Sequence, residues 1–178
     1  MLAARSAWAV LRKEHAQIRQ LLDSIAESVH AGQWRRPGAA LAQLRERIEA
    51  LKAFDQAQHR PKGVALMGSL KGRSPQADQL VASLEEEREH EDDLLERALA
   101  KLNAVAVGEE RVCPDIESLL AQHRESLLRH MEHEDTLLRE QTEQLLTADE
   151  WSHVVSSISS VLYPPKKKVD RESEAPPE

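Results

Sequence analysis

A regular stripe of candidate core positions near the end of the chain limits the fold more than any other feature. Between residues 116 and 145 these positions recur every three or four residues, which places side chains on one face of an α-helix. The stripe consists of Ile116, Leu119, His123, Leu127, His130, Glu134, Leu137, Gln141 and Leu145. His130 and Glu134 stand where leucines would otherwise be expected, and a buried charge without a partner costs several kcal/mol. The pattern therefore predicts a long helix and a compensating group beside it.

The same periodicity recurs along most of the chain, and glycine and proline cluster only between the periodic segments. It predicts long helices over about residues 6–29, 39–71, 75–102 and 114–146. A capping box, Thr147 followed three residues later by Glu150, predicts a short fifth helix that ends at Tyr163. Pro61 is expected to bend the second helix. We therefore predict an all-α fold, an up-down-up-down four-helix bundle with a short C-terminal fifth helix over residues 1–163, followed by a disordered tail over residues 164–178.

Composition narrows the classes of function. Acidic residues outnumber basic ones by seven in 178 residues, which argues against a nucleic-acid partner, because phosphate binding needs a basic face. We find no stretch approaching the roughly 20 apolar residues that span a bilayer, so we expect no membrane association. The single cysteine, Cys113, cannot form an internal disulfide. We therefore expect a cytoplasmic protein.

Polar residues on the inward faces of the four long helices should meet in the core. In a bundle of antiparallel helices, positions in the middle of each helix can lie at similar heights, and ligand sites form between them. The positions concerned are His15, His59, Arg88, Glu91, His130 and Glu134. This arrangement of imidazoles and carboxylates is what a metal site in a bundle requires.

The chain resembles the hemerythrin-like (HHE cation-binding) domains of bacteria. The likeness is carried by Glu-His-Ala-Gln-Ile-Arg-Gln-Leu-Leu at 14–22, His-Arg-Pro-Lys at 59–62, His-Met-Glu-His-Glu at 130–134 and Leu-Thr-Ala-Asp-Glu-Trp at 146–151. The resemblance implies a non-haem di-iron centre that binds oxygen or a related small molecule. His15, His59, His130 and Glu134 match the family's ligand pattern and are the metal ligands that the resemblance implies.

Two positions depart from that pattern. Where the family has a bridging glutamate four residues after the second-helix histidine, this chain has Gly63, and where the third helix should supply a histidine, it has Arg88. A guanidinium cannot coordinate a metal, but it can bind a carboxylate through two hydrogen bonds. An Arg88–Glu134 ion pair could therefore replace a metal ion. We expect one iron ion or none, rather than a full di-iron centre.

Other arrangements of ligands stay open from the sequence alone. One ion could bind His15, His59, His130 and Glu134, or a relocated site could use His90, His123 or Asp55. A ferritin-like site is a poorer match, with Glu-x-x-His pairs at Glu87–His90 and Glu150–His153. His30, His133 and His153 are expected to be exposed, the acidic run at 85–93 to be a solvated face, and Lys62 to belong to a small basic patch around Gly63.

The resemblance implies a metal-binding or sensing protein for a small ligand such as oxygen, with an incomplete di-iron site. The alternative is a metal-free helical bundle that acts as a protein-interaction or regulatory module. We do not expect an enzyme, because we find no paired nucleophile and base and no glycine-rich nucleotide loop.

Overall fold

The computed structural model describes residues 2–162, which form five helices joined by short connections. Helix α1 is Leu2–Ala31, and α3 is Pro75–Ala106. Helix α2 covers residues 39–70 and comprises Ala39–Phe54, a π-helical turn at Asp55–His59, and Arg60–Leu70. Helix α4 covers residues 113–145 and comprises Cys113–His133, a second π-helical turn at Glu134–Leu138, and Arg139–Leu145. Helix α5 is Ala148–Leu162. The all-α fold is confirmed, and a four-helix bundle with a short fifth helix fits it. The predicted tail and Tyr163 lie outside the described residues.

Local sequence signals set the ends of these helices. The Ser74 hydroxyl accepts a hydrogen bond from the Ala77 N–H at 3.1 Å, and Pro75 occupies the first turn, where its missing N–H costs nothing. At the start of α5 the Thr147 N–H donates to the Glu150 carboxylate at 2.8 Å, and the Glu150 N–H donates to the Thr147 hydroxyl at 3.4 Å. The predicted capping box is therefore confirmed.

Two apolar clusters occupy the two ends of the bundle. Helix α1 packs against α2, α3 packs against α4, and α5 covers α1 and the second half of α2. One cluster is built around Ile18, Leu44, Leu102 and Ile116. The other is built around Trp8, Leu66, Leu84 and Trp151. None of the helices within residues 2–162 combines the length and apolar character needed to cross a membrane.

The two π-helical turns shift the inward face of α2 and α4. Each turn adds one residue to the helical repeat, so positions after it rotate relative to a regular α-helix. The prediction that Leu137 faces inward is wrong, because it is 46% exposed while Leu138 is fully buried. Thr142 is buried in the same way, whereas Gln141 is only half-buried. In α2, the π-helical turn at Asp55–His59 ends two residues before Pro61.

Candidate metal centre

A layer of buried polar side chains separates the two apolar clusters. Each of the four long helices contributes polar residues to this layer near its middle. At that height, polar side chains replace apolar ones on the buried face of each helix. In α1, for example, the fully buried Leu11 and Ile18 flank Glu14 and His15. The buried polar residues of this layer are Glu14, His15, His59, Lys62, Arg88, Glu91, His130 and Glu134. The predicted convergence of polar residues in the core is therefore confirmed.

Glu134 lies at the centre of this layer and is completely buried. Its Oε2 atom is 3.1 Å from the Nε2 atom of His15 and 3.3 Å from the Nε2 atom of His59. Its Oε1 atom is 3.3 Å from the Nε2 atom of His130 and accepts a hydrogen bond of 3.0 Å from Nη2 of Arg88. The two oxygens of one carboxylate thus face two different environments, and the predicted Arg88–Glu134 ion pair is confirmed.

The environment around Oε2 can hold a metal ion. His15, His59 and Glu134 each offer a ligand atom, and these atoms lie within 4.8 Å of one another. The two imidazole rings meet edge to face, with centroids 4.9 Å apart. Two histidines and one carboxylate form a donor set that suits non-haem ferrous iron. Both ring nitrogens of His59 are buried without a hydrogen-bond partner, which is the condition expected of a ligand prepared for a metal.

Each of the first two histidines has a carboxylate behind it. The Nδ1 atom of His15 is 3.0 Å from Oδ2 of Asp135, and the Nδ1 atom of His59 is 3.8 Å from Oε2 of Glu14. Metal-binding histidines commonly present their second nitrogen to a carboxylate, which fixes the ring and leaves the first nitrogen free to coordinate. The carboxylates behind the two histidines therefore suit a metal site, as the donor set itself does.

His130 has similar support on the Oε1 side. Its Nδ1 atom is 3.3 Å from Oε2 of Glu87 and 3.7 Å from Oε1 of Glu91. The other oxygen of Glu87 is 2.8 Å from Nδ1 of His133, which is half-buried rather than exposed as predicted. Burial opposes ionisation of Glu87, but the two histidines lower the pKa of its carboxyl overall. His130 thus remains a predicted ligand, although it lies outside the group formed by His15, His59 and Glu134.

A buried ion pair between α1 and α2 completes the layer. Nζ of Lys62 donates to Oε1 of Glu14 at 2.6 Å and also to the carbonyl of Gln58. Lys62 is fully buried, so the prediction that it belongs to a basic surface patch is wrong. The lysine turns inward because the π-helical turn before it shifts the face of α2. It balances the charge of Glu14, which would otherwise stand unpaired behind His59.

The protonation of the site follows from the charge of Glu134. Burial disfavours the protonated form of His59 and of His130, but the Glu134 carboxylate, together with the other carboxylates near each ring, outweighs it and raises the pKa of each to about 9. Burial likewise opposes ionisation of Glu134, yet the surrounding histidines hold its pKa well below the usual range. Without a metal, the carboxylate is therefore balanced by protonated imidazoles and by Arg88.

Gly63 and Arg88, the two departures from the family pattern, are in direct contact. A β-carbon added to Gly63 would lie 2.8 Å from Oε1 of Glu134 and closer still to Nη2 of Arg88. The absence of a side chain at position 63 and the presence of arginine at position 88 therefore depend on each other. The space that a side chain at position 63 would enter is taken by the guanidinium, which places a positive charge beside Oε1.

The structure does not bring the other candidate ligands into this group. His90 is exposed, and Asp55 is paired with Arg60 at 2.7 Å. His123 is buried but lines a separate cavity. Of the ferritin-like pairs, Glu150 serves the capping box of α5, and His153 is exposed. A relocated site built from these residues, and the ferritin-like arrangement, are therefore not found among the described residues.

Sequence reasoning missed four residues that contact the site. Glu14 and Asp135 adjoin the predicted ligands His15 and Glu134 in sequence, and that adjacency was the available signal. Glu87 lies one turn before the inward-facing Glu91, so helical spacing could have placed it near the core. The prediction of a solvated face over 85–93 is wrong at Glu87, which is only partly exposed. Lys62 had no such signal, because its inward direction depends on the π-helical turn.

The fold and the site define a helical-bundle protein with a buried cluster of side chains that could hold a metal ion. A family model described as the Hemerythrin HHE cation binding domain matches residues 6–141, which is most of the chain. The chain therefore belongs to the hemerythrin HHE cation-binding family, as the sequence motifs indicated. No curated protein and no solved structure matches the chain.

Proposed function

We propose that this protein binds a single ferrous ion through His15, His59 and Glu134 and uses it to bind or sense a small ligand such as oxygen. The observation that carries the proposal is the convergence of three buried ligand atoms within 4.8 Å, with carboxylates behind both imidazoles. The donor set favours iron because two histidines and one carboxylate are typical of non-haem ferrous sites. A cytoplasmic location is part of the proposal, since a reducing compartment suits ferrous iron.

The proposal of one ion rather than two rests on the Oε1 side of Glu134. A second metal in a bridged pair would share this carboxylate. Nη2 of Arg88 already lies 3.0 Å from Oε1, and position 63 supplies no carboxylate. The permanent charge of the guanidinium repels a second cation and at the same time balances the carboxylate. Arg88 thus supplies, beside Oε1 of Glu134, the positive charge that a second metal ion would otherwise provide.

The protein side chains around the ion would hold and orient it. The Asp135 carboxylate lies 3.0 Å behind the ring of His15, and Glu14, held by Lys62, lies 3.8 Å behind that of His59, so both would favour a ring whose other nitrogen binds a cation. A ferrous ion bound here would supply open coordination positions for a small ligand. The ligands are between 0 and 2% exposed, so only a small molecule could reach them. This burial favours ligand binding over catalysis on a larger substrate, and we propose no enzymatic activity.

A second candidate function is a metal-free bundle that acts as an interaction or regulatory module. It is favoured by the ion pair of Arg88 with Glu134 and by the raised pKa values of His59 and His130, which together balance the carboxylate without a metal. In that case, the polar layer has a structural role. The two candidates differ in whether ferrous iron binds at stoichiometric amounts.

Metal analysis of protein purified without an affinity tag separates the two candidates. We expect the parent protein to take up about one ferrous ion per chain without oxygen, and its visible spectrum to change when oxygen is admitted. Glu134→Gln should abolish tight binding, because a neutral amide replaces the central carboxylate. Glu132→Gln is the matched control, since Glu132 lies on the exposed face of the same helix. If the parent binds no iron, or if Glu134→Gln binds as much as the parent, the metal proposal is wrong and the metal-free module is favoured.

A further inference from the structure

His59 faces the core because of the π-helical turn in which it stands. Leu51, on the regular part of α2, is 1% exposed and marks the inward face of the helix. In a regular α-helix, His59 would be rotated by about 80° from Leu51, whereas the residue added by the π-helical turn removes about 100° of rotation. The His59 side chain is 2% exposed, and both of its ring nitrogens lack a hydrogen-bond partner among the described residues. The direction of this ring therefore depends on the backbone.

Arg60 holds this turn through both its backbone and its side chain. Its N–H donates to the carbonyl of Asp55, which is the hydrogen bond between residues five apart that defines a π-helical turn. Its Nε atom also donates to Oδ2 of Asp55 at 2.9 Å, and its Nη2 atom lies 2.7 Å from the same oxygen. Side chains five residues apart point about 140° apart around a regular α-helix, where they are poorly placed for an ion pair. The pairing of Arg60 with Asp55 therefore favours the wider turn over a regular one.

The same guanidinium anchors the turn to α3. Nη1 and Nη2 of Arg60 donate to the two carboxylate oxygens of Asp92, each at 2.7 Å. Two parallel hydrogen bonds between a guanidinium and a carboxylate fix the relative orientation of the two groups. The Arg60 side chain is 27% exposed and that of Asp55 is 17% exposed, so the network is partly shielded from water. Arg60 thus ties the start of the π-helical turn to the neighbouring helix at the position next to His59.

We propose that Arg60 is a positioning residue for His59, because it maintains the π-helical turn that directs the imidazole toward Glu134. In this register, Nε2 of His59 lies 3.3 Å from Oε2 of Glu134. Arg60 lies outside the group formed by His15, His59 and Glu134, so its effect reaches the site through the backbone of α2. The consequence for iron binding rests on the proposed function, whereas the control of the turn by Arg60 does not.

Nuclear magnetic resonance of the full chain without metal tests the control of the turn. Scalar coupling across a hydrogen bond identifies the carbonyl that accepts from the amide of residue 60. We expect Asp55 to be the acceptor in the parent, and Gln56, the acceptor in a regular α-helix, to replace it in Arg60→Met. The nuclear Overhauser contact between the rings of His15 and His59, whose centroids are 4.9 Å apart, should be lost in the same variant. If circular dichroism shows that Arg60→Met is unfolded, Arg60→Gln, which keeps a polar side chain at this partly exposed position, takes its place.

Arg97→Met is the matched control for the loss of an arginine. Arg97 is paired with Asp93 on α3 at 3.0 Å, outside the π-helical turn, so this variant should keep both the Asp55 acceptor and the contact between the two rings. Retention of the Asp55 acceptor in Arg60→Met would overturn the proposal. Persistence of the ring contact after the acceptor has changed would also overturn it, because the turn would then not direct His59.

Anaerobic titration with ferrous iron adds the functional measurement. The affinity for iron should fall at least about tenfold in Arg60→Met, which is the scale for loss of a group that orients a metal-binding residue. It should stay at the parent value in Arg97→Met. Equal affinity in the parent and in Arg60→Met would overturn the positioning of His59 by Arg60. If the parent binds no iron, the proposed function is wrong, and the resonance measurements alone decide the role of Arg60.

Discussion

Gly63 lies where the Arg88–Glu134 ion pair leaves no room for a β-carbon, and this gives a sharp test of the site geometry. In an ordinary helix, replacement of glycine by alanine stabilises the protein by about 0.5–1 kcal/mol, because alanine loses less backbone entropy on folding. Gly68 provides that reference on the same helix, since a β-carbon there would meet nothing within 4 Å. Gly68→Ala should therefore raise the free energy of unfolding by about 0.5–1 kcal/mol.

Gly63→Ala should have the opposite effect. The new β-carbon would lie 2.8 Å from Oε1 of Glu134 and would displace the guanidinium of Arg88. Overpacking of a core costs about 1–3 kcal/mol, and a hydrogen bond between charged groups is worth about 1.5–3 kcal/mol. If the guanidinium swings away, the lost hydrogen bond replaces the overpacking cost, and after the helical gain is subtracted we expect the free energy of unfolding to fall by about 1–2 kcal/mol.

Urea unfolding followed by far-ultraviolet circular dichroism measures both effects, and the Arg88→Met background isolates their cause. Without the guanidinium the obstacle is largely removed, so Gly63→Ala should then approach the small gain of Gly68→Ala. The coupling energy between positions 63 and 88 should be about 2 kcal/mol. If Gly63→Ala stabilises the parent as much as Gly68→Ala does, the described contact between Gly63 and Arg88 is wrong.

Two further perturbations test the charges around the core. Lys62→Met should lower the free energy of unfolding, measured in urea, by about 3–5 kcal/mol, because it leaves Glu14 buried without its cation. Addition of Glu14→Gln should recover part of that loss. The absence of any recovery would contradict the pairing of Lys62 with Glu14. Burial lowers the pKa of His123 to about 4 from its ordinary 6.5, so the unfolded chain binds more protons between these values and stability falls as the pH drops through that window. Between about pH 7 and pH 5, His123→Leu should therefore lose about 2 kcal/mol less stability than the parent, and equal losses would show that His123 is accessible to water.

Much of the fold follows from the sequence because helical periodicity and capping signals are local. The Thr147–Glu150 capping box and the Pro75 start of α3 could both be predicted from a few neighbouring residues. The π-helical turns could not, because an added residue in one turn is stabilised by packing that the periodicity does not show. The error at Leu137 and the misplacement of Lys62 both follow from this shift of register.

The candidate site was predictable to the extent that its residues share an inward face. His15, His59, Arg88 and Glu134 could be placed in one layer, and the pairing of Arg88 with Glu134 followed from the need to balance a buried charge. The arrangement in which Oε2 of Glu134 faces two histidines while Oε1 faces Arg88 could not be predicted. It depends on distances of 3.0 to 3.3 Å among side chains from four helices, which the sequence does not encode locally.

The central claim is that Arg88 takes the place of a second cation beside Glu134. The most direct measurement is the iron content per chain of the parent and of the double variant Gly63→Glu with Arg88→His, each loaded with ferrous iron without oxygen. The substitutions return a carboxylate four residues after His59 and an imidazole to α3, and they remove the permanent charge. We expect about one iron per parent chain and about two per variant chain. Equal iron uptake by the two proteins would contradict this role of Arg88.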